Sequence, residues 1–148
     1  PYTAAQVAAR APGGAGHMTS DLLRGRRGLV MGLANDKSIA WGIARAAHAA
    51  GAELAFSYQG EPLLKRVTPL AAQVGSDLVL PCDVSDQGSV DRLFEALAAR
   101  WGRLDFLVHA IGFSDKDQLR GRYVDTTRDN FLMTMDISVF SFTAVTRR

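Results

Sequence analysis

Only one cysteine, Cys82, and three histidines occur in the 148 residues. A lone cysteine excludes an internal disulfide and cannot build a cysteine-cluster zinc site, so no metal is expected. Neither His17 nor His48 falls at a metal-ligand spacing. An excess of one charge sign is missing too. Lys and Arg number 17 against 15 Asp and Glu, a net charge of +2, with the basic residues spread along the chain. A nucleic-acid binder gathers its basic residues on one face, so no nucleic-acid partner is expected. No apolar run approaches the ~20 residues of a membrane span, which leaves no membrane partner. The cysteine usage suits a reducing, cytoplasmic setting.

Acidic residues are absent from the opening stretch PYTAAQVAARAPGGAGHM. It lacks the apolar core of a secretion signal, and with Arg10 as its one arginine it is a poor transit peptide. Residues 1–20 read as a disordered leader or non-native extension, with Met18 a candidate start.

What remains is ordinary globular material, 47% hydrophobic and 22% charged, of a length that suits one domain. From Arg27 a rhythm recurs. GLVMGL, AELAFSY, DLVLPC and LDFLVHA are short runs, apolar nearly throughout rather than alternating. Strands covered on both faces read this way, as in parallel sheets. Helix-length segments separate them: residues 39–50, residues 62–74 opening on Pro62, and residues 89–101 with Val90, Leu93, Phe94 and Leu97 on one face. Gly51, Gly75 and Gly102 each close a helix ahead of the next strand. The pattern predicts an α/β fold, a Rossmann-type doubly wound parallel sheet of order 3-2-1-4. Residues 128–148 predict one further helix, capped by Thr126 or Thr127. Its apolar residues (Phe131, Leu132, Met135, Val139, Phe140, Phe142 and Val145) nearly encircle it, so it needs two surfaces to bury against. The chain is expected to stop inside that helix.

The stretch MGLANDKSIAWGIA follows the first strand and opens the first helix, where a pyrophosphate binds in this architecture. Bare backbone amides and the positive end of the helix dipole point there. Gly32 permits a sharp turn and Ala34 a close approach. Ser38 can cap the helix or reach a phosphate, Ile39 offers a further amide, and Gly42 is expected to let the helix pack close to the sheet. A capped strand-to-helix turn without a ligand would use the same residues. Gln59 ends the second strand, where Asp or Glu selects NAD and a nearby Arg accommodates NADP. Gln59 is neutral and Glu61 follows it, which leans to NAD, although Lys65 and Arg66 weigh against that. Asp83 and Val84 end the third strand. The carboxylate can accept from an adenine amino group and the Val84 amide can donate to the ring; Asp83 could equally be a helix cap.

Together GLANDKSIAWGIA, ELAFSYQGE, VLPCDV and LDFLVHAIGFSDK resemble the NADH-dependent enoyl-acyl-carrier-protein reductases of bacterial fatty-acid synthesis, within the short-chain dehydrogenase/reductase superfamily. The resemblance runs from Arg24 to the last residue. It implies NAD contacts at Gly32, Ser38, Ile39, Gln59, Asp83, Val84 and Ile111, with Ala110 and Gly112 beside the nicotinamide and Ser114 at the acyl-substrate mouth. It also implies reduction of trans-2-enoyl thioesters on acyl carrier protein and a homo-oligomer, a tetramer in the family. The family's catalytic tyrosine, with a lysine six residues beyond it, lies on a later helix, so no catalytic residue is expected here. Tyr58 and Lys65 share that spacing but straddle a strand end, Gly60 and Pro62, and should not converge. The alternative is a nucleotide-binding or interaction module without catalysis. His109 reads as a buried, hydrogen-bonded histidine, Cys82 as a small hydrophobe, and the charge-mixed loop from Asp115 to Arg122 as a solvated surface.

Overall fold

The computed structural model describes residues 21–148; the leader expected over residues 1–20, with Arg10, His17 and Met18, lies outside the described residues. The expected alternation of strand and helix is present: β1 (Arg27–Met31), α1 (Ile39–Ala49), β2 (Glu53–Tyr58), α2 (Glu61–Gln73), β3 (Val79–Pro81), α3 (Gln87–Trp101) and β4 (Phe106–His109). The strands pair in parallel in the order β3-β2-β1-β4. Leu29 stands opposite Ala55 on one side and Leu107 on the other.

Successive side chains of β1 explain its unbroken apolar run, because each points to the face opposite its neighbour. Val30 joins Phe56 and Leu54 beneath Ala40, Trp41, Ala44 and Ala47 of α1 and Val67, Leu70 and Ala71 of α2. Leu29 and Met31 point the other way, with Ala55, onto Val90, Leu93 and Leu97 of α3 and Val145. Leu29, Met31 and Phe56 are fully buried, each contributing about 1.5–3 kcal/mol by leaving water.

Helix ends follow local chemistry. Gly102 takes the left-handed conformation at φ 70° and its amide donates to the Ala98 carbonyl at 2.8 Å; Gly51 and Gly75 also have positive φ, 93° and 68°. Pro62 sits in the first turn of α2, as expected. Pro69, inside the same helix, is on its exposed face, where water can reach the carbonyl its ring leaves without a donor. β3 is shorter than the expected run over residues 77–82. It ends in Pro81 at the sheet's edge, the position where a missing amide is tolerated, and Cys82 continues the pairing by donating to the Tyr58 carbonyl at 2.8 Å. The close-packing role expected of Gly42 is not observed: it is exposed, and a methyl group there would meet nothing within 4 Å. Ala40, Trp41, Ala44 and Ala47 form the inner face of α1 instead.

The final helix departs most from expectation. It runs as α4 (Arg128–Met135), a π-helical stretch (Asp136–Phe140) and α5 (Ser141–Thr146). Thr127, not Thr126, is the cap, accepting from the Asn130 amide at 3.3 Å. The residues turned inward are Asn130, Ser141, Ala144 and Val145. Phe131, Leu132, Met135, Val139, Phe140 and Phe142 are about half exposed. Of the apolar residues expected to need burial, Val145 alone is buried against this sheet, so the apolar stripe faces outward.

At the amino end of the sheet, Asp105 ties β1 to the chain entering β4. Its carboxylate accepts from the Arg27 amide at 2.8 Å and from Arg26 Nη1 at 3.0 Å, with Arg103 Nε at 3.5 Å. The Arg27 amide first, then Arg26, holds the carboxyl below its usual range. A depressed carboxyl pKa adds stability above the unfolded value of about 3.9 that is lost as pH falls through the folded value. Asp105→Asn is therefore expected to lower the urea midpoint at pH 7, and the gap from the wild type should close toward pH 3.

Candidate functional site

A cleft of about 410 Å³ opens at the carboxyl ends of the strands. Gly32, Leu33 and Ala34 leave β1 into it, Ser57, Tyr58 and Gln59 close β2, Cys82, Asp83 and Val84 follow β3, and Ala110 to Phe113 follow β4. Leu63 and Ile137 complete the lining. This is the switch point of the sheet, where β1 has β2 on one side and β4 on the other, the place where open α/β sheets bind ligands.

Gly32 sets the shape of that opening. Its φ is 90°, and a methyl group would stand 2.1 Å from the Ala110 carbonyl oxygen. The turn that follows is braced internally. Asn35 Oδ1 accepts from the Lys37 amide at 2.9 Å, and the Asn35 carbonyl accepts from the Ser38 amide at 3.2 Å and the Ser38 hydroxyl at 2.6 Å. Ser38 thus occupies the cap position of α1 without capping by its side chain, and the expectation that its hydroxyl serves as the cap is corrected. The hydroxyl is drawn to a carbonyl behind it, and among the described residues no hydrogen-bond acceptor meets the amides of Ile39 and Ala40. Those bare donors sit at the positive end of the helix dipole. The Ile39 side chain itself is exposed.

Across the cleft, Gln59 Nε2 donates to Asp83 Oδ2 at 2.9 Å. Asp83 Oδ1 accepts from the Ser85 hydroxyl at 2.6 Å and the Ser85 amide at 2.9 Å. These bonds, led by the Ser85 hydroxyl, hold the carboxyl below its ordinary range. Asp83 does not cap α3; Asp86 does, accepting from the Gly88 amide at 2.9 Å. Ser89 lies inside that helix, buried, and its hydroxyl accepts from the Asp83 amide at 3.0 Å. Asp83 is therefore an ionised acceptor, pre-positioned at the cleft, with room on Oδ2 for a second donor. Its neighbour Cys82 is buried, and burial first, then Asp83 and Asp86, pushes the thiol up to about 11. At neutral pH it is protonated and unreactive.

Of the residues expected to meet the cofactor, Gly32, Gln59, Asp83, Val84 and Ile111 line the cleft together; Ser38, Ile39 and Ser114 lie outside its lining. Ser114 is bound to the last helix instead. Asn130 Nδ2 donates to its hydroxyl at 3.3 Å and Thr134 Oγ1 at 3.0 Å, while Asn130 Oδ1 accepts from the Asp115 amide at 3.0 Å. Ser138 both accepts from the Phe113 amide at 3.1 Å and donates to its carbonyl at 3.2 Å. Sequence reasoning missed this row, although polar residues at 130, 134 and 138 carry the spacing of one helix face. Tyr58 and Lys65 do not form a functional pair: Tyr58 is partly buried against the core, and Lys65 is exposed with its ammonium 3.8 Å from Glu61.

His109 is hydrogen-bonded, as expected, but half-buried. Its Nε2 lies 2.7 Å from Ser141 Oγ, which donates its own proton to the Ile137 carbonyl at 2.6 Å. Ser141 is therefore the acceptor, and the neutral ring carries its proton on Nε2. Phe142 meets the ring edge-on at 5.6 Å. Among the described residues no group of three or more His, Cys, Asp or Glu could hold a metal ion, and no described helix is long and apolar enough to cross a membrane.

The model of the family described as Enoyl-(Acyl carrier protein) reductase matches residues 32–148. The chain belongs to this family. It is 65% identical over 127 residues to Enoyl-[acyl-carrier-protein] reductase [NADH] 2 of Rhizobium meliloti (strain 1021), covering 86% of this chain and 47% of the relative. The crystal structure of FabI from Candidatus Liberibacter asiaticus is 58% identical with a TM-score of 0.85, over 86% of this chain and 50% of that one. The family member from Anaplasma phagocytophilum, solved in complex with NAD, is 55% identical with a TM-score of 0.83, over 86% and 49%. The chain thus spans about half the length of the family members it matches.

Two outcomes test this geometry. Gly32→Ala is expected to lose roughly 2 kcal/mol or more of stability, because both backbone conformation and space exclude the methyl group; urea denaturation measures it. Burial holds the His109 pKa below its ordinary value. The unfolded chain then binds the extra proton first, so stability should fall as pH drops below about 6.5. His109→Gln should flatten that pH dependence of the thermal midpoint.

Proposed function

We propose that this chain forms the cofactor-binding part of an NADH-dependent enoyl-[acyl-carrier-protein] reductase. One conjunction carries the reading: the stretch that matches the family, residues 32–148, contains the whole cleft lined by Gly32, Gln59, Asp83, Val84 and Ile111. Residues 21–148 would be the leading part of one dinucleotide-binding domain in a cytoplasmic enzyme.

NAD fits this cleft by the chemistry of its donors and acceptors. When bound as NADH it supplies the hydride that reduces the double bond of a trans-2-enoyl thioester carried on acyl carrier protein. The small residues Gly32 and Ala34 and the bare amides at the start of α1 would receive the pyrophosphate, with Ser38 and Ile39 at its outer side. Asp83 would accept from the adenine amino group while the Val84 amide donates to the ring. Gln59 would face the ribose. The neutral Gln59, with Glu61 following it, supports NAD over NADP, while the exposed Lys65 and Arg66 weigh against it. Ile111 would border the nicotinamide, and Ser114 the mouth through which the acyl chain enters. The resemblance assigns protonation chemistry to a tyrosine and lysine on a later helix, so these 148 residues by themselves are expected to bind NADH without turnover. The outward apolar face of the last helix supports burial against a second copy, in a tetramer as the resemblance implies.

Calorimetric titration of the intact protein with NADH, paired with reduction of a crotonyl thioester, tests the reading. Asp83→Ala is expected to weaken NADH about tenfold, the effect of losing a hydrogen bond to a charged acceptor. NADH binding with no thioester reduction by the intact protein would favour the non-catalytic nucleotide-binding module.

A further inference from the structure

The polar row on the last helix has no explanation in the cofactor cleft itself. Asn130 is 8% exposed, and burying an amide side chain costs free energy unless its bonds are satisfied. It spends both ends of that amide on the loop after β4, donating to the Ser114 hydroxyl and accepting from the Asp115 amide. One turn on, Thr134 donates to the same hydroxyl. Another turn on, Ser138 grips both the amide and the carbonyl of Phe113. Three successive loop residues are thus held, in reverse order, by three helix residues spaced four apart. Ser138 falls within the π-helical stretch, a distortion that recurs at functional sites.

The loop so held is part of the cleft. Phe113 lines it and is 53% exposed, so its ring stands at the rim, beside Ser114, which the resemblance puts at the acyl mouth. Without the helix row the loop would have few bonds to fix it. Its amides beyond Phe113 and Asp115 face solvent or a local turn, with the Asp117 amide donating to Asp115 Oδ1 at 2.9 Å.

On the enoyl-thioester reading above, we propose that Asn130, Thr134 and Ser138 are positioning residues that hold residues 113–115 as a fixed outer wall for the acyl substrate. They act through the loop and touch neither the adenosine end of the cleft nor the turn after β1. The effect should therefore fall on the thioester and spare the dinucleotide.

The test uses Asn130→Ala, Thr134→Val and the conservative Thr134→Ser in the intact protein, with crotonyl thioester and NADH. In the first two, KM for the thioester is expected to rise about fivefold, as for a lost hydrogen bond felt equally in ground and transition states. The kcat and the NADH Kd should stay within about twofold. Thr134→Ser keeps the hydroxyl and should match the wild type. Amide hydrogen exchange over residues 112–116 should quicken about tenfold in the same two variants. Thr134→Val is near-isosteric and partly exposed, so it remains informative if Asn130→Ala unfolds. Active wild type with unchanged thioester KM in the variants, or an equal loss of NADH affinity, overturns the positioning role alone. A wild type that reduces no thioester overturns the enoyl-reductase reading and this role with it.

Discussion

Where β1 leaves the sheet, Gly32 passes so close to the end of β4 that a methyl group would come within 2.1 Å of the Ala110 carbonyl oxygen. The rest of the site depends on this approach. It lets two neighbouring parallel strands end side by side while the chain after β1 turns away toward α1 and the chain after β4 turns toward the last helix. The space between those departures is the cleft. A side chain at position 32 would push the two exits apart or fill the cleft between them. The turn after Gly32 leads to the amides of Ile39 and Ala40, which meet no acceptor among the described residues, at the end of α1 where the helix dipole favours an anion.

The electrostatics of the two ends of the sheet are arranged for opposite purposes. At the amino end, Asp105 is bonded to Arg26 and the Arg27 amide, with Arg103 beside it, an arrangement that ties β1 to the chain entering β4. At the carboxyl end, Asp83 is held ionised mainly by Ser85 and faces Gln59, keeping an oxygen available at the cleft. Both carboxyl groups titrate low, but Asp105 is bonded to the backbone and arginines beside β1, whereas Asp83 lies in the lining of the cleft.

Much of this was legible in the sequence because each strand is apolar throughout. Val30 and Leu29 face opposite cores, and only a sheet covered on both sides demands that of consecutive residues. Gln59, Asp83 and Val84 were legible as neighbours in one cleft because they stand at or after strand ends, which the topology gathers at one edge. Gly42 was misread: small size does not say which way a helical residue points, and Ala40 and Ala44 are equally small and face inward. The last helix was legible only in part, for a related reason. Hydrophobicity says that a residue avoids water, not which surface covers it. Here Asn130, bonded to the loop after β4, and Ser141, bonded to His109 of β4, face inward while Phe131, Leu132 and Phe142 face out. Ser38 was placed correctly at the start of α1, but its hydroxyl had a nearer acceptor in the Asn35 carbonyl, a competition that sequence spacing does not reveal.

A crystal structure of the intact protein grown with saturating NADH tests the central claim most directly. The account predicts the pyrophosphate against the amides between Gly32 and Ile39, the adenine at Asp83 and Val84 with its ribose facing Gln59, and the nicotinamide beside Ile111. Density for the dinucleotide elsewhere, such as the groove between α3 and β4 lined by Leu97, Arg103 and Phe106, or none at all in the cleft, would contradict it.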